Sequence, residues 1–251
     1  MELNDDLLLR YSRHILLPEL GVTGQMQISA ASVLVVGAGG LGCPVALYLG
    51  AAGVGRLVLA DGDRVDLSNL QRQIGHGSAA IGENKAESLA RSVQAINPTI
   101  EVDARGEALA GAALEAAVAQ VDVVVDASDN FATRHAVNAA CVRFGKPLVS
   151  GAAIGFSGQL AVFAPGRAGS PCYHCLFPDE AGEPELRCAE AGVFSPLVGV
   201  IGAMQASEVL KLLAGVGDPL VGRLLLWDGL RSDARVMKLR RDPLCPVCRS
   251  R

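Results

Sequence analysis

The stretch SVLVVGAGGLG, residues 32–42, passes from a continuous apolar run into a glycine-rich loop and then into the apolar segment CPVALYLGAAG. An apolar run bounded by glycine is a strand buried on both faces, and such strands belong to parallel sheets covered by helices. Gly37, Gly39 and Gly42 have the spacing that turns a strand sharply into a helix while backbone N–H groups approach a phosphate, and Gly40 lies in the same loop. The start of this chain is therefore tied to an α/β nucleotide-type unit.

The same rhythm continues downstream. RLVLAD, IEVDARG, VDVVVDASDN and PLVSGAA are strands, and the segments NKAESLARSVQAINP, ALAGAALEAAVAQV and ATRHAVNAACVRFG between them are helical, the first stopped by Pro98. Repeated βαβ units predict a Rossmann-like, doubly wound, mainly parallel sheet. Beyond residue 155 the pattern changes: GQLAVFAP, GRLLLWDG and ARVMKLRR predict an antiparallel continuation, interrupted by a cysteine-bearing loop and a long helix ending near Leu213. A helix running through Leu17 and a short one near Gln25 to Ser29 precede the core. One domain is expected over 1–251, with N-terminal helices in 1–30, the nucleotide-binding core in 31–155 and a distinct C-terminal part in 156–251.

Composition narrows the function. Half of the 251 residues are apolar and the net charge is −4, with no basic block beyond KLRRD, which excludes nucleic acid as an expected partner. The N-terminus places acids before its apolar patch, the reverse of a secretory signal, so a cytoplasmic protein is expected. The apolar stretch GVFSPLVGVIGAMQASEVLKLL carries Pro196, Gln205, Glu208 and Lys211, which are costly in lipid, so a core or interface helix is expected and no membrane.

Asp61 ends the second strand about twenty residues beyond the loop, where a carboxylate accepts bonds from ribose hydroxyls. Loop and acid alone fit NAD. The next segment, DLSNLQRQ, then gathers Asn69, Gln71, Arg72 and Gln73, and Lys85 opens the following helix. More donors than a dinucleotide's two phosphates require argue for ATP. Asp126 and Asp129 end the fourth strand over the same crevice, hard oxygen ligands of the kind Mg²⁺ uses beside phosphates; capping the next helix is the alternative for Asp126.

Seven cysteines in a cytosolic chain point to metal or redox chemistry before disulfides. Cys172 and Cys175 form one CxxC, Cys245 and Cys248 a second, and together they make the pattern of a closed, structural four-cysteine zinc site; two unrelated reduced pairs or a redox CxxC are the alternative. His174 sits inside the first knuckle. Cys43 and Cys141 fall in apolar helices as core fillers. Cys188 follows the charged stretch DEAGEPELR, a setting where an exposed thiol meets an activated acyl group as a nucleophile or has no role at all. His14, His76 and His135 show no partner pattern that nominates them as general bases.

Taken together, GAGGLG, the Asp61 and Asp63 pair, SNLQRQ, Lys85, DASDN and CAEAGVFSPLVGVIGAMQASE resemble the MoeB/ThiF/HesA group of ubiquitin-activating-like adenylyltransferases, over nearly the whole chain. The resemblance implies ATP- and Mg²⁺-dependent adenylation of the C-terminal glycine of a small ubiquitin-like sulfur carrier ending in Gly-Gly, with release of pyrophosphate, for molybdopterin or thiamine biosynthesis. It assigns the ribose to Asp61, the phosphates to Asn69, Arg72 and Lys85, and the Mg²⁺ to Asp129, the residue most needed for catalysis. It also implies carrier binding by the 156–251 part, a homodimer in which Arg13 of RYSRH reaches the neighbouring subunit's ATP, and a covalent carrier link at Cys188 in some relatives. The chain ends just after its second knuckle without a rhodanese-like domain, so a separate sulfur donor protein is expected. An NAD-dependent oxidoreductase and a non-catalytic zinc-containing partner-binding protein are the rival classes.

Overall fold

The apolar run before the glycine loop forms β1 (Ser32–Val36), followed by β2 (Arg56–Ala60), β3 (Glu101–Arg105), β4 (Val123–Asp126) and β5 (Leu148–Ile154). These five pair in parallel. β6 (Ser157–Phe163), β7 (Arg223–Asp228) and β8 (Asp233–Lys238) continue the same sheet antiparallel, giving the order β3-β2-β1-β4-β5-β6-β7-β8. A two-residue turn joins β5 to β6, with Gly155 at φ +55° where a side chain would be strained. The computed structural model describes residues 3–178 and 192–249.

Strand order reverses direction between β1 and β4. At such a switch point the loops after neighbouring strands diverge and leave a crevice beyond their carboxyl ends. One face of the sheet is covered by α3 (Gly21–Ala30), α4 (Gly42–Ala51), α5 (Lys85–Ile96) and α9 (Ser195–Ala214), with Val33, Val35, Leu57, Leu59 and Val125 among the sheet residues beneath them. The other is covered by α6 (Gly111–Ala119), α7 (Phe131–Phe144) and the single turn α8 (Tyr173–Leu176), over Leu34, Val36, Val58 and Val124. Leu34, Leu57 and Leu59 are fully buried, each side chain contributing about 2 kcal/mol of transfer free energy.

The N-terminal helix expected through Leu17 is divided into α1 (Asp5–Arg10) and α2 (Ser12–Ile15) at Tyr11. The reason is tertiary: the Tyr11 ring is buried against Gly53, where a Cβ would collide with it, and its hydroxyl accepts from Asn97 Nδ2 at 2.9 Å. By length and apolarity α9 alone among the described residues reaches membrane-spanning dimensions, and half of that stretch is buried inside the protein. It packs on α4, β5 and β6. Two of its buried polar residues are tied down: Gln205 Nε2 donates to Asp126 O at 2.9 Å, and Glu208 Oε2 accepts from Leu220 N at 2.7 Å.

Candidate active site

The crevice at the switch point holds a cavity of about 680 Å³. Its wall brings together Gly37, Gly39, Gly40, Asp61, Asp63, Arg72, Gln73, Lys85 and Asp129, nine of the residues expected from sequence. Gly37 has φ +98°, and a Cβ there would lie 2.7 Å from Ala127 O, so the loop passes β4 too closely for any side chain. Gly42 stands outside the wall. A Cβ on it would overlap Gly37 O, so its task is to let α4 start against the loop.

The acids of the cavity have different surroundings. Asp61 is fixed from both sides, its Oδ2 accepting from Ala38 N at 2.7 Å and its Oδ1 from Asp63 N at 2.8 Å. Asp63 Oδ2 pairs with Lys85 Nζ at 2.8 Å. Asp129 is exposed in the wall and makes no hydrogen bond to any described residue. Asp126, considered from sequence as a metal ligand or helix cap, is neither. It is buried, accepting from Ser128 N (3.1 Å), Ser128 Oγ (2.6 Å) and Ser150 Oγ (2.9 Å), so it ties β5 to the loop that presents Asp129. The cap of α7 is Asn130, whose side chain accepts from Thr133 N.

Among the donors, Arg72 makes one hydrogen bond to the described residues, Nη1 to Ser68 O at 3.1 Å, leaving the rest of its fork for the cavity. Gln73 is buried with an Oε1 that accepts no hydrogen bond from any described residue. Asn69 stands outside the wall: its Oδ1 accepts from Asp66 N at 3.2 Å, closing a capping box on the 3₁₀ turn Leu67–Asn69. Arg13 is exposed on α2, away from the cavity of its own chain. Cys188 lies outside the described residues. Sequence reasoning missed Arg134 and Glu107; Arg134, buried in the wall, donates to Ser128 O at 2.8 Å. The signal for it was the DASDN acid loop one turn before it.

The two CxxC pairs meet although they are far apart in sequence. Zinc at about 2.3 Å from four sulfurs sets sulfur–sulfur edges of roughly 3.8 Å. The Sγ atoms of Cys172 and Cys175 are 3.9 Å apart, Cys172 and Cys245 3.7 Å, Cys175 and Cys248 3.5 Å, and all four lie within 4.8 Å of one another. The donor set therefore fits zinc and leaves no open position for chemistry. Cys43 and Cys141 are buried; burial pushes the Cys43 thiol up to about 12 and raises Cys141 further, so both are inert.

A family model described as the ThiF family matches residues 11–247. The chain belongs to this family. Among curated ThiF-type relatives, it is 48% identical over 246 residues to the "Sulfur carrier protein ThiS adenylyltransferase" of Escherichia coli K12, covering 98% of this chain and 97% of that one. It is 49% identical over 251 residues to the "Adenylyltransferase and sulfurtransferase MOCS3" of Sus scrofa, covering 99% of this chain and 55% of that protein. The chain thus spans about half the length of the MOCS3 relatives it matches. Among solved structures, E. coli MccB with ATP is similar at TM-score 0.82 and 25% identity, over 95% of this chain and 74% of that one.

Proposed function

We propose that this chain adenylates the C-terminal carboxylate of a small ubiquitin-like sulfur carrier, consuming ATP and releasing pyrophosphate, in the service of molybdopterin or thiamine synthesis. The observation that carries the reading is the convergence of the glycine loop, Arg72, Lys85 and the Asp129 carboxylate, which no described residue engages, on one cavity. A carboxylate oxygen of the carrier attacks the α-phosphorus, the bond from that phosphorus to the bridging oxygen breaks, and the electron pair leaves with pyrophosphate. No protein nucleophile is needed for this step. The protein's part is to bring two anions together and to offset the charge that grows on the leaving oxygens.

Asp61, already oriented by two backbone N–H groups, holds the ribose, with Asp63 beside it, and Arg72 and Lys85 hold phosphate oxygens. Four carboxylates, Asp61, Asp63, Glu107 and Asp129, face three cations, Arg72, Lys85 and Arg134, so a triphosphate entering this cavity needs a further positive charge. Mg²⁺ on Asp129 supplies it, together with polarisation of the phosphates. The cavity extends along Ala152, Ala153, Ile154 and Val193, and these small and apolar walls suit a chain that ends in glycine.

Leu9, Leu16, Leu17 and Val22 are exposed on and between the N-terminal helices, an apolar surface that supports a homodimer with Arg13 serving the partner's cavity. The zinc is structural, the enzyme cytoplasmic, and Cys188 is a candidate for a covalent carrier link. ATP–pyrophosphate exchange dependent on a carrier ending in Gly-Gly tests the reading. Exchange that is absent with every such carrier, beside reduction of NAD by a small substrate, would replace it with the oxidoreductase reading.

A further inference from the structure

Two buried side chains that no step above uses, His76 and Cys43, meet at one backbone carbonyl, and a third, Ser88, holds the far side of the His76 ring. His76 Nε2 lies 2.9 Å from Ala38 O, His76 Nδ1 lies 3.0 Å from Ser88 Oγ, and Cys43 Sγ lies 3.5 Å from the same Ala38 O. None of the three lines the cavity. A carbonyl oxygen only accepts, so Nε2 carries the ring proton; Nδ1 of the neutral ring is then the acceptor and the Ser88 hydroxyl the donor. Cys43, kept a thiol by burial, donates weakly to the same oxygen.

Ala38 is the second residue of the glycine loop, and both of its backbone polar groups are fixed, N–H by Asp61 and C=O by His76. In a planar trans peptide the C=O of one residue and the N–H of the next point in opposite directions. Holding Ala38 O toward His76 therefore turns the Gly39 N–H away from His76. Gly39 lines the cavity, and its N–H has no acceptor among the described residues.

We propose that His76 is a positioning residue for the nucleotide, acting through the Ala38–Gly39 peptide to aim the Gly39 N–H at the bound phosphates. The inference rests on the reading of the cavity as an ATP site. It distinguishes His76 from a histidine that merely fills the core, because only an N–H donor at the Nε2 position performs the task. Glutamine reaches that position with an amide N–H, whereas leucine fills similar space without a donor.

The test is calorimetric titration of wild type, His76→Gln and His76→Leu with Mg²⁺ and a non-hydrolysable ATP analogue, beside thermal melting and pyrophosphate-exchange kinetics. His76→Leu is expected to weaken analogue binding and raise KM for ATP by about 10-fold, the size of one lost charge-assisted hydrogen bond, with carrier KM unchanged; His76→Gln stays within about 3-fold of wild type. Should His76→Leu fail to fold, ¹⁵N shifts of the wild-type ring decide: an Nε2–H tautomer supports the proposal and an Nδ1–H tautomer overturns it. Folded His76→Leu binding the analogue as wild type does, or Gln and Leu variants losing affinity equally, overturns the inference alone. Wild type that binds no ATP overturns the ATP reading itself.

Discussion

Lys85 Nζ lies 2.8 Å from Asp63 Oδ2, with the lysine side chain 9% exposed and the aspartate 74% exposed. The cation is thus held at the cavity wall by a partner that is itself wet, and screening makes such a pair weak enough for a phosphate to compete for it. Lys85→Met should lower the rate of adenylate formation by about 10²–10³-fold, the cost of deleting one preorganised donor. Asp63→Asn should cost no more than about 10-fold, since it loosens the lysine without removing it. Single-turnover assays check the ranking, and a larger loss for Asp63→Asn would reverse the roles assigned to the pair.

Asp129→Asn should abolish adenylate formation while ATP still binds, because the ribose and loop contacts survive and only metal positioning is lost. Calorimetry with ATP beside pyrophosphate exchange reads both halves. Normal turnover would remove Asp129 from the mechanism.

Arg13→Ala and Asp129→Asn, each inactive alone, should regain activity when mixed under conditions of subunit exchange. Each heterodimer then contains one cavity with both residues intact. Heterodimers that form, as seen by native mass spectrometry, yet remain inactive would show that Arg13 does not act on the partner's site.

Cys172→Ser or Cys245→Ser should lower metal content and melting temperature together, since each removes one of four thiolates and structural zinc contributes directly to folding. Purified protein free of zinc, with melting unchanged by either substitution, would reject the site.

Burial holds the His76 imidazole below its ordinary value of 6.5, opposed by its hydrogen bond to Ala38; of the nearby charges, Lys85 lowers it further and Asp61 raises it. The unfolded chain therefore binds more protons than the native one between the folded value and 6.5, so stability rises with pH there and is lost on acidification below 6.5. Urea midpoints measured from about pH 7.5 down to about pH 5.5 should fall in wild type and fall less in His76→Gln. Identical slopes would mean that another group takes up the proton.

The strand-to-helix loop, the βαβ alternation and the antiparallel continuation were legible because period and glycine spacing are local properties of the chain. So were the two knuckles, whose ligands are fixed by residue type. What the sequence concealed depended on packing. Tyr11 breaks the first helix because of a glycine more than forty residues away, and Asp126 and Asp129 differ in fate although they stand three apart in one motif. Asn69 belongs to SNLQRQ, yet its side chain closes a local turn, which residue type does not reveal. His76 gave no signal because its partners, Ala38 and Ser88, lie in different elements.

The cysteine cluster has a kinetic consequence. Cys172 meets Cys245 and Cys175 meets Cys248, each pair 73 residues apart, so a cation held by the four thiolates would fasten α9, β7 and β8 into a closed ring. β8 is exposed along its whole length and pairs on one side only, which makes it the natural place for the sheet to begin peeling. With both ends of the ring so secured, fraying that starts at the tail beyond Cys248 would not reach β8 without first expelling the cation. The time the outer sheet survives against proteases that work inward from the tail would then be set by the off-rate of the metal.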